Sequence, residues 1–330
     1  MPATAEEPEQ KFAALGDFQL ENGQEIRDLK VGYRTAGELN ANQSNAVLFP
    51  TFAGGTTANL VGLLGPGKLV DSSKYFVILV DALGNGVSSS PSNSKAQPHM
   101  RFPQINIRDM VRAEHELATK HLKLRHLRAV IGISLGGMQT FQWVVSYPDF
   151  MDKAIPIVGS PRLSTYDLLL WTAELHALEA DPAWQGGEYA LPPSAGLATA
   201  ADIRALVLTT PQDRVQHIPP RDFPQFIEKN RREMLKGPDA NDQISQLQAM
   251  IANDVSAPYG GSLEEAAAAV RAKVLVIVGL KDHMVNPYPA LDFAKLISAP
   301  TLELDSDCGH MSFQCELEKV SQAVAQFLEK

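Results

Sequence analysis

The chain has 330 residues, of which 45% are hydrophobic and 20% are charged, so it can bury a full-sized core and is neither a disordered tail nor a minimal module. Its 29 basic and 38 acidic residues give a formal net charge of -9 without a basic block, so we expect no nucleic-acid partner. No apolar run approaches the roughly 18 residues that cross a bilayer, so we expect no membrane partner.

The N-terminal segment, residues 1–16, is predicted to be flexible. Residues 1–10 contain three glutamates and lack the basic start and apolar stretch of a signal peptide. The two cysteines, Cys308 and Cys315, are too few for a disulfide framework, and with His310 between them they match no zinc spacing. We therefore expect reduced thiols, no metal and a cytoplasmic protein.

The predicted elements begin with an antiparallel hairpin, in which Asn22-Gly23 favours a type I′ turn between residues 17–21 and a run ending at 29–34. Short β-branched runs then predict buried strands of a mostly parallel sheet at residues 46–49, 76–80, 129–133, 154–158, 274–278 and 301–304. Helical patterns at 107–122 and 138–147 alternate with these strands. This alternation predicts an α/β fold, with a mostly parallel central sheet flanked by helices.

An insertion is predicted over residues 162–262, where strand-like runs become rare. Helical periodicity at 168–178 and 223–235 is interrupted by proline pairs. Connections in α/β folds usually span about 2–6 residues, so we interpret this segment as a helical lid. It divides a core made of residues 17–161 and 263–330.

The strongest chemical signal is Gly132-Ile133-Ser134-Leu135-Gly136, which lies between a predicted strand and a predicted helix. This context is typical of a nucleophile elbow, whose tight turn requires small neighbours. A serine hydroxyl becomes a good nucleophile when an imidazole accepts its proton and a carboxylate orients that imidazole. We therefore expect an acid and a histidine downstream of Ser134.

Asp282 and His310 fit these roles, because each follows a predicted strand at its C-terminal end. The order Ser, Asp, His is that of α/β-hydrolases. Asp305 and Asp307 are rival acids, but they share the loop of His310. For the oxyanion hole we expect the backbone N–H of Leu135 and that of Phe52 or Ala53.

Nearly the whole chain from about Phe18 onward resembles the homoserine O-acetyltransferase family of α/β-hydrolases. The motifs that carry the resemblance are LKVGYRTAGELNANQSN, YFVILVDALGNGVSSSPSNS, GISLGGMQTFQW and ADPAWQGGEY. The resemblance implies a triad of Ser134, Asp282 and His310, a helical lid over the active site and an acyl-serine intermediate. It also implies a homodimer formed through the lid helices.

Three positions depart from the pattern of this family. Met311 stands where the acetyltransferases typically have an aspartate that helps to hold the amino group of homoserine. Ala201 stands where a lid arginine would bind the substrate carboxylate, with Arg204 a little further on. Phe52 stands in a loop that usually contains a histidine. Losing two charged anchors would weaken homoserine binding by several kcal/mol, at roughly 1.5–3 kcal/mol each.

A less polar site is expected, lined by candidates among Phe52, Met138, Trp143, Trp171, Trp184 and Met311. The sequence thus predicts a serine-dependent carboxylic-ester hydrolase that acts on a small-molecule ester or acyl substrate without a cofactor. The first alternative is an acyltransferase with acetyl-CoA as co-substrate and a small alcohol acceptor. The second is a non-catalytic binding protein on the same fold.

Overall fold

A computed structural model describes residues 7–330. Its nine strands form one sheet in the order β1-β2-β4-β3-β5-β6-β8-β9, with β7 also paired to β6. β1 and β2, and β2 and β4, pair antiparallel, and the other pairs are parallel. The strands are β1 (Lys11–Gln19), β2 (Glu25–Ala36), β3 (Ala46–Pro50), β4 (Phe76–Val80), β5 (Leu127–Ile133), β6 (Met151–Ile157), β7 (Lys273–Val274), β8 (Val276–Gly279) and β9 (Thr301–Leu304).

Twelve α-helices accompany the sheet: α1 (Thr57–Val61), α2 (Ile107–Glu116), α3 (Leu135–Ser146), α4 (Thr165–Glu179), α5 (Ser194–Val207), α6 (Pro211–His217), α7 (Phe223–Leu235), α8 (Ala240–Ile251), α9 (Leu263–Ala269), α10 (Pro287–Leu296), α11 (Ser312–Cys315) and α12 (Leu317–Glu329), counted over residues 7–330. A π-helical turn, Leu117–His121, follows α2. Short 3₁₀ turns cover His99–Arg101, Pro182–Gly187, Pro220–Asp222, Ala257–Tyr259 and Gly309–Met311.

The central strands are buried on both faces, which is why they are almost continuously apolar. Alternate side chains enter two separate hydrophobic cores: Leu48 and Ile78 lie in one, and Val47 and Val77 lie in the other. This arrangement confirms the predicted α/β class with a mostly parallel sheet. The C-terminal ends of the parallel strands therefore lie at one edge of the sheet.

The helices α4 to α8, here called the lid helices, lie between β6 and β7. Within this group α4 packs against α5 and α8, and α5 packs against α7. The next helix, α9, packs instead against α3 and α10 of the core. Within residues 7–330, no helix combines the length and apolar character that crossing a membrane requires.

The N-terminal prediction needs a correction. Residues 1–6 lie outside the described part of the chain. Residues 11–16 were predicted to be flexible, but they belong to β1, which pairs with β2 from Lys11 onward. The Gln10 side chain also donates a hydrogen bond to Asp81 at 2.9 Å. The sequence pattern did not predict this strand, because only two of residues 11–16 are partly or fully buried.

The predicted type I′ turn is also wrong. Such a turn requires a positive φ at both central residues, but of Asn22 and Gly23 only Gly23 has one, at 82°. The strands are joined by residues 20–24, closed by the Leu20 N–H donating to the Gln24 carbonyl at 2.8 Å. The Asn22 side chain accepts the Gln24 N–H at 2.9 Å, so the asparagine caps a wider loop.

The two cysteines were expected to be free thiols, but Cys308 and Cys315 form a disulfide. The 3₁₀ turn Gly309–Met311 and the short α11 fold the intervening chain back, so that their Cα atoms lie 6.6 Å apart. The bridge therefore encloses His310. A count of two cysteines could not reveal this, because pairing depends on how the loop folds.

Candidate active site

Ser134 lies at the junction of β5 and α3, in a backbone conformation that non-glycine residues rarely adopt (φ 56°, ψ −118°). The two glycines of the motif make the turn possible. A Cβ atom on Gly132 would collide with the carbonyl oxygen of Gly136, and one on Gly136 would lie 2.7 Å from the carbonyl oxygen of Pro50. The sharp turn presents the serine hydroxyl at the C-terminal edge of the sheet.

The structure brings Ser134, His310 and Asp282 together. Ser134 Oγ lies 3.0 Å from His310 Nε2, and His310 Nδ1 lies 2.7 Å from Asp282 Oδ2. All three side chains are at least nine-tenths buried. This is the geometry in which an imidazole can accept the serine proton while a carboxylate holds the other ring nitrogen.

Asp282 is fixed by its own loop, because its Oδ1 accepts the N–H groups of Met284 and Val285 at 2.8 and 2.9 Å. The rival acids are engaged elsewhere. Asp305 and Asp307 both lie 3.0 Å from the ammonium group of Lys281 on the protein surface. Of these three acids, Asp282 is thus the one that faces the imidazole.

The segment from Asp305 to His310, here called the histidine loop, is also held by residues at the end of α5. The sequence did not indicate this contact. The His310 N–H donates to the Leu208 carbonyl at 3.0 Å. The Thr210 hydroxyl and N–H both donate to the Asp307 carbonyl, at 2.8 and 3.1 Å. The lid helices therefore help to position His310.

Of the residues predicted for the oxyanion hole, Phe52 and Ala53 line the same cavity as Ser134, and Leu135 follows Ser134 in the chain. Within residues 7–330, no group accepts a hydrogen bond from the N–H of Leu135, Phe52 or Ala53. The loop is held by Gln246 of α8, whose Oε1 accepts the Gly54 N–H at 2.8 Å and whose Nε2 donates to the Leu83 carbonyl at 3.1 Å. Gln246 was missed because it lies almost two hundred residues away in sequence.

A cavity of about 480 Å³ opens next to Ser134 and His310. Three of the candidate pocket residues, Phe52, Trp171 and Met311, line it. The remaining lining residues are Ala53, Gly54, Asn59, Leu63, Ile133, Arg204, Leu208, Pro238, Gln243, Gln246, Leu247, Met250, Met284, Phe313, Gln314 and Leu317. The wall is predominantly apolar.

Three candidate lining residues lie elsewhere. Met138 is fully buried, because residues 135–145 of α3 are covered on all sides and its side chains fill the core. Trp143 is buried in the same helix, where its indole N–H donates to Glu114 at 2.6 Å. The indole N–H of Trp184 donates to Asn241 at 2.8 Å. Their prediction as pocket residues is wrong, since hydrophobic type alone does not distinguish a cavity wall from a core.

Charge is scarce in the cavity. Among the lining residues of the described chain, Arg204 is the only one with a permanent charge, and none is acidic. Arg204 is paired with Glu174 of α4, whose side chain is completely buried. Ala201 is buried outside the cavity wall. The cavity therefore has neither a free cation for a carboxylate nor an anion for an ammonium group.

The chain is similar to known proteins that share this fold. A family model described as alpha/beta hydrolase fold matches residues 47–314. An ethyl acetate hydrolase from Pseudomonas veronii is 31% identical over 327 residues, which cover 96% of this chain and 93% of that protein. A homoserine O-acetyltransferase from Trichormus variabilis is 32% identical over 329 residues, covering 94% and 91%.

Among solved structures, the acetyl esterase MekB superposes with a TM-score of 0.92 at 29% sequence identity, covering 98% of each chain. The relatives thus include both ester hydrolases and homoserine O-acetyltransferases, which confirms the resemblance found in the sequence motifs. Together with the fold, these matches show that the chain belongs to the α/β-hydrolase family, as an enzyme of the serine acyl-transfer type.

Proposed function

We propose that this enzyme is a carboxylic-ester hydrolase that acts on small, uncharged esters, including acetate esters. The observation that carries the proposal is the charge balance of the cavity: Arg204 is already paired with Glu174, and Met311 replaces the expected carboxylate. A zwitterionic acceptor such as homoserine would lose its solvation there without gaining a partner for either charge. The similarity to an ethyl acetate hydrolase and an acetyl esterase supports an acetyl group.

The first half of the reaction acylates Ser134. His310 Nε2 accepts the hydroxyl proton as Ser134 Oγ attacks the ester carbonyl, and Asp282 stabilises the resulting imidazolium through Nδ1. The N–H of Leu135 and that of Phe52 or Ala53 stabilise the oxyanion. When the tetrahedral intermediate collapses, His310 returns the proton to the leaving alcohol. An acyl-serine remains.

The second half reverses these roles with water as the nucleophile. His310 accepts a proton from water, the hydroxide attacks the acyl-serine, and the proton passes to Ser134 Oγ as the carboxylic acid leaves. Ser134 supplies the proton that the leaving alcohol takes up, and water supplies the proton that returns to Ser134 Oγ. The reaction therefore needs no cofactor.

The main alternative is an acetyltransferase, in which acetyl-CoA acylates Ser134 and a small alcohol takes the place of water. The identity of about 32% to a homoserine O-acetyltransferase favours it. It would use the same three residues, so the triad does not separate the two functions. The two functions differ in what the acceptor site must bind, and here Arg204 is paired with Glu174 and Met311 replaces the aspartate typical of the acetyltransferases.

The role of the triad is tested with ethyl acetate hydrolysis by wild type and by Ser134→Ala, Asp282→Asn and Asp307→Asn. We expect Ser134→Ala to lower kcat by at least about 10⁴-fold and Asp282→Asn to lower it by a similar order. Asp307→Asn is the matched control, because that carboxylate pairs with Lys281 and should leave the rate within about twofold.

An active Ser134→Ala variant would exclude the proposed mechanism. The remaining alternative, a non-catalytic binding protein, predicts instead that Ser134 stays unlabelled by an organophosphonate and that wild type hydrolyses no ester. Labelling of wild type but not of Ser134→Ala would exclude that alternative.

A further inference from the structure

The lid side of the cavity carries a group of polar side chains that the proposed mechanism does not use. We call the lining residues Trp171, Arg204 and Gln243, together with the buried Glu174 that pairs with Arg204, the polar wall. We propose that the polar wall is a subsite for an uncharged oxygen acceptor, such as an ether, ketone or hydroxyl oxygen, in the ester substrate away from the scissile bond. This inference rests on the proposed hydrolase function and names the class of ester.

The guanidinium group of Arg204 has hydrogen-bond donors that no group of the described chain accepts. One Nη group donates to Glu174 Oε1, whereas Nε is buried and has no acceptor among residues 7–330. The other Nη group makes no hydrogen bond within residues 7–330 and is not enclosed by protein atoms. The side chain keeps 29% of its exposure and lines the same cavity as Ser134 and His310. A ligand in this cavity can therefore reach a guanidinium edge.

The charge of that guanidinium is already balanced. Glu174 is fully buried, and its second oxygen, Oε2, has no partner in the described part of the chain. A substrate carboxylate placed against Arg204 would bring a second negative charge close to Glu174, and no further cation lines the cavity to offset it. Arg204 thus favours a neutral acceptor over an anion.

Two neighbours on the polar wall also have unsatisfied groups. Trp171 lies one turn before Glu174 on the same face of α4, and its buried indole N–H has no acceptor in the described part of the chain. Gln243 donates to the Pro238 carbonyl at 2.9 Å, but the structure shows no donor for its buried Oε1 among the residues that it describes. Both residues are at least 95% buried and line the cavity. Buried groups of this kind usually have a partner, which a polar ligand would supply.

The test compares esters that differ by one CH₂-to-oxygen exchange. The first pair is 2-methoxyethyl acetate and butyl acetate, and the second is ethyl methoxyacetate and ethyl butanoate. The readout is the ratio of kcat/KM values within each pair for wild type, divided by the same ratio for Arg204→Met. This double ratio removes the different intrinsic reactivities of the esters. We expect it to be at least about fivefold for one pair.

The matched control is Arg231→Met, which removes another lid arginine paired with a carboxylate, Asp202, away from the cavity. Its double ratio should stay near one. If Arg204→Met fails to fold by circular dichroism, Arg204→Gln takes its place. A double ratio near one for both ester pairs would overturn the proposed subsite.

An anionic probe checks the charge argument. Wild type should cleave ethyl hydrogen succinate more slowly than ethyl pentanoate, and Glu174→Gln should raise the relative rate on the succinate by about fivefold or more. A wild-type preference for the succinate would overturn the neutral-acceptor assignment. If wild type hydrolyses none of these esters, the proposed hydrolase function fails rather than the subsite alone.

Discussion

Position 311 is where the choice between hydrolysis and acetyl transfer can be tested with a single side chain. Met311 lines the cavity next to His310, and no lining residue within residues 7–330 is acidic. We expect Met311→Asp to give an ammonium group an anchor and to raise homoserine-dependent release of CoA from acetyl-CoA by about tenfold or more. The same change should lower ester hydrolysis, because it makes the wall polar.

The control for this substitution is Met311→Asn, which has nearly the same shape as aspartate without its charge. The neutral variant should show no gain in homoserine-dependent CoA release. Equal gains in both variants would mean that size rather than charge limits the acceptor. No gain in either would contradict the role given to this position.

A second residue, Glu114, links stability to pH. It is completely buried, and burial raises its pKa to about 8, with only the Trp143 indole N–H as a hydrogen-bond partner in the described chain. The raised pKa means that the folded state holds a proton that the unfolded state loses above about pH 4.5. The contribution of Glu114 to the free energy of unfolding should therefore fall as pH rises from about 4.5 to 8, and then level off.

Urea denaturation at pH 5 and pH 9 measures this effect. Glu114→Gln removes the titration of this side chain. The difference in the free energy of unfolding between wild type and variant should therefore change by a few kcal/mol between pH 5 and pH 9, at about 1.4 kcal/mol per pKa unit. Glu116→Gln, on the same helix and partly exposed, should keep the wild-type slope. A Glu114→Gln slope equal to that of wild type would contradict the assignment.

The functional residues that could be predicted from the sequence are those that a local sequence pattern indicates. Ser134 lies in a glycine motif between a strand and a helix, and Asp282 and His310 follow strands in the expected order. Arg204–Glu174 and Gln246–Gly54 join segments far apart in the chain, so no local pattern announces them. Met138 was misplaced because a methionine near the nucleophile has the same pattern in a core as in a cavity wall.

At the scale of elements, the histidine loop is constrained by the disulfide between Cys308 and Cys315. Closing a loop between residues separated by seven positions is expected to stabilise the folded state by about 2 kcal/mol in the chain-entropy model. We expect dithiothreitol to lower both the urea midpoint and the rate of ester hydrolysis. Cys308→Ser/Cys315→Ser should reproduce both losses and respond no further to the reductant. Unchanged activity after complete reduction would show that the bridge does not hold His310.

Two element boundaries were predicted to the residue, whereas the edge strand β1 was only partly predicted. The prediction at 76–80 coincides with β4, and the one at 223–235 coincides with α7. The run predicted at 274–278 is divided at Leu275 into β7 and β8. β1 begins six residues before its prediction because it is an edge strand with an exposed face. The order of the strands in the sheet could not be predicted from the sequence, since it depends on contacts between segments that are distant in the chain.

At the scale of the whole molecule, we propose a homodimer formed through the lid helices, as the family resemblance implies. The lid has a surface groove to which Leu206, Val215 and Phe223 contribute, and these side chains are 76%, 80% and 51% exposed. Clustered exposed apolar side chains of this kind can form the contact surface between two subunits. Light scattering after size exclusion should give twice the chain mass, and Val215→Glu should shift it toward the monomer. A monomeric wild type would contradict the proposal.

The cytoplasmic location stays a prediction. The acidic composition led us to expect no nucleic-acid partner, and this expectation also awaits a test. The disulfide is a feature more common in oxidising compartments than in the cytosol. The location is thus a property that composition alone does not fix.

We propose that water, rather than a zwitterionic alcohol, receives the acyl group from Ser134. To test this, purified wild type is supplied with ethyl acetate, or with acetyl-CoA with and without homoserine, and acetate, free CoA and O-acetylhomoserine are quantified. We expect rapid release of acetate from the ester and CoA release that homoserine does not accelerate. Fast, homoserine-dependent CoA release with O-acetylhomoserine as the product would exclude water as the main acceptor.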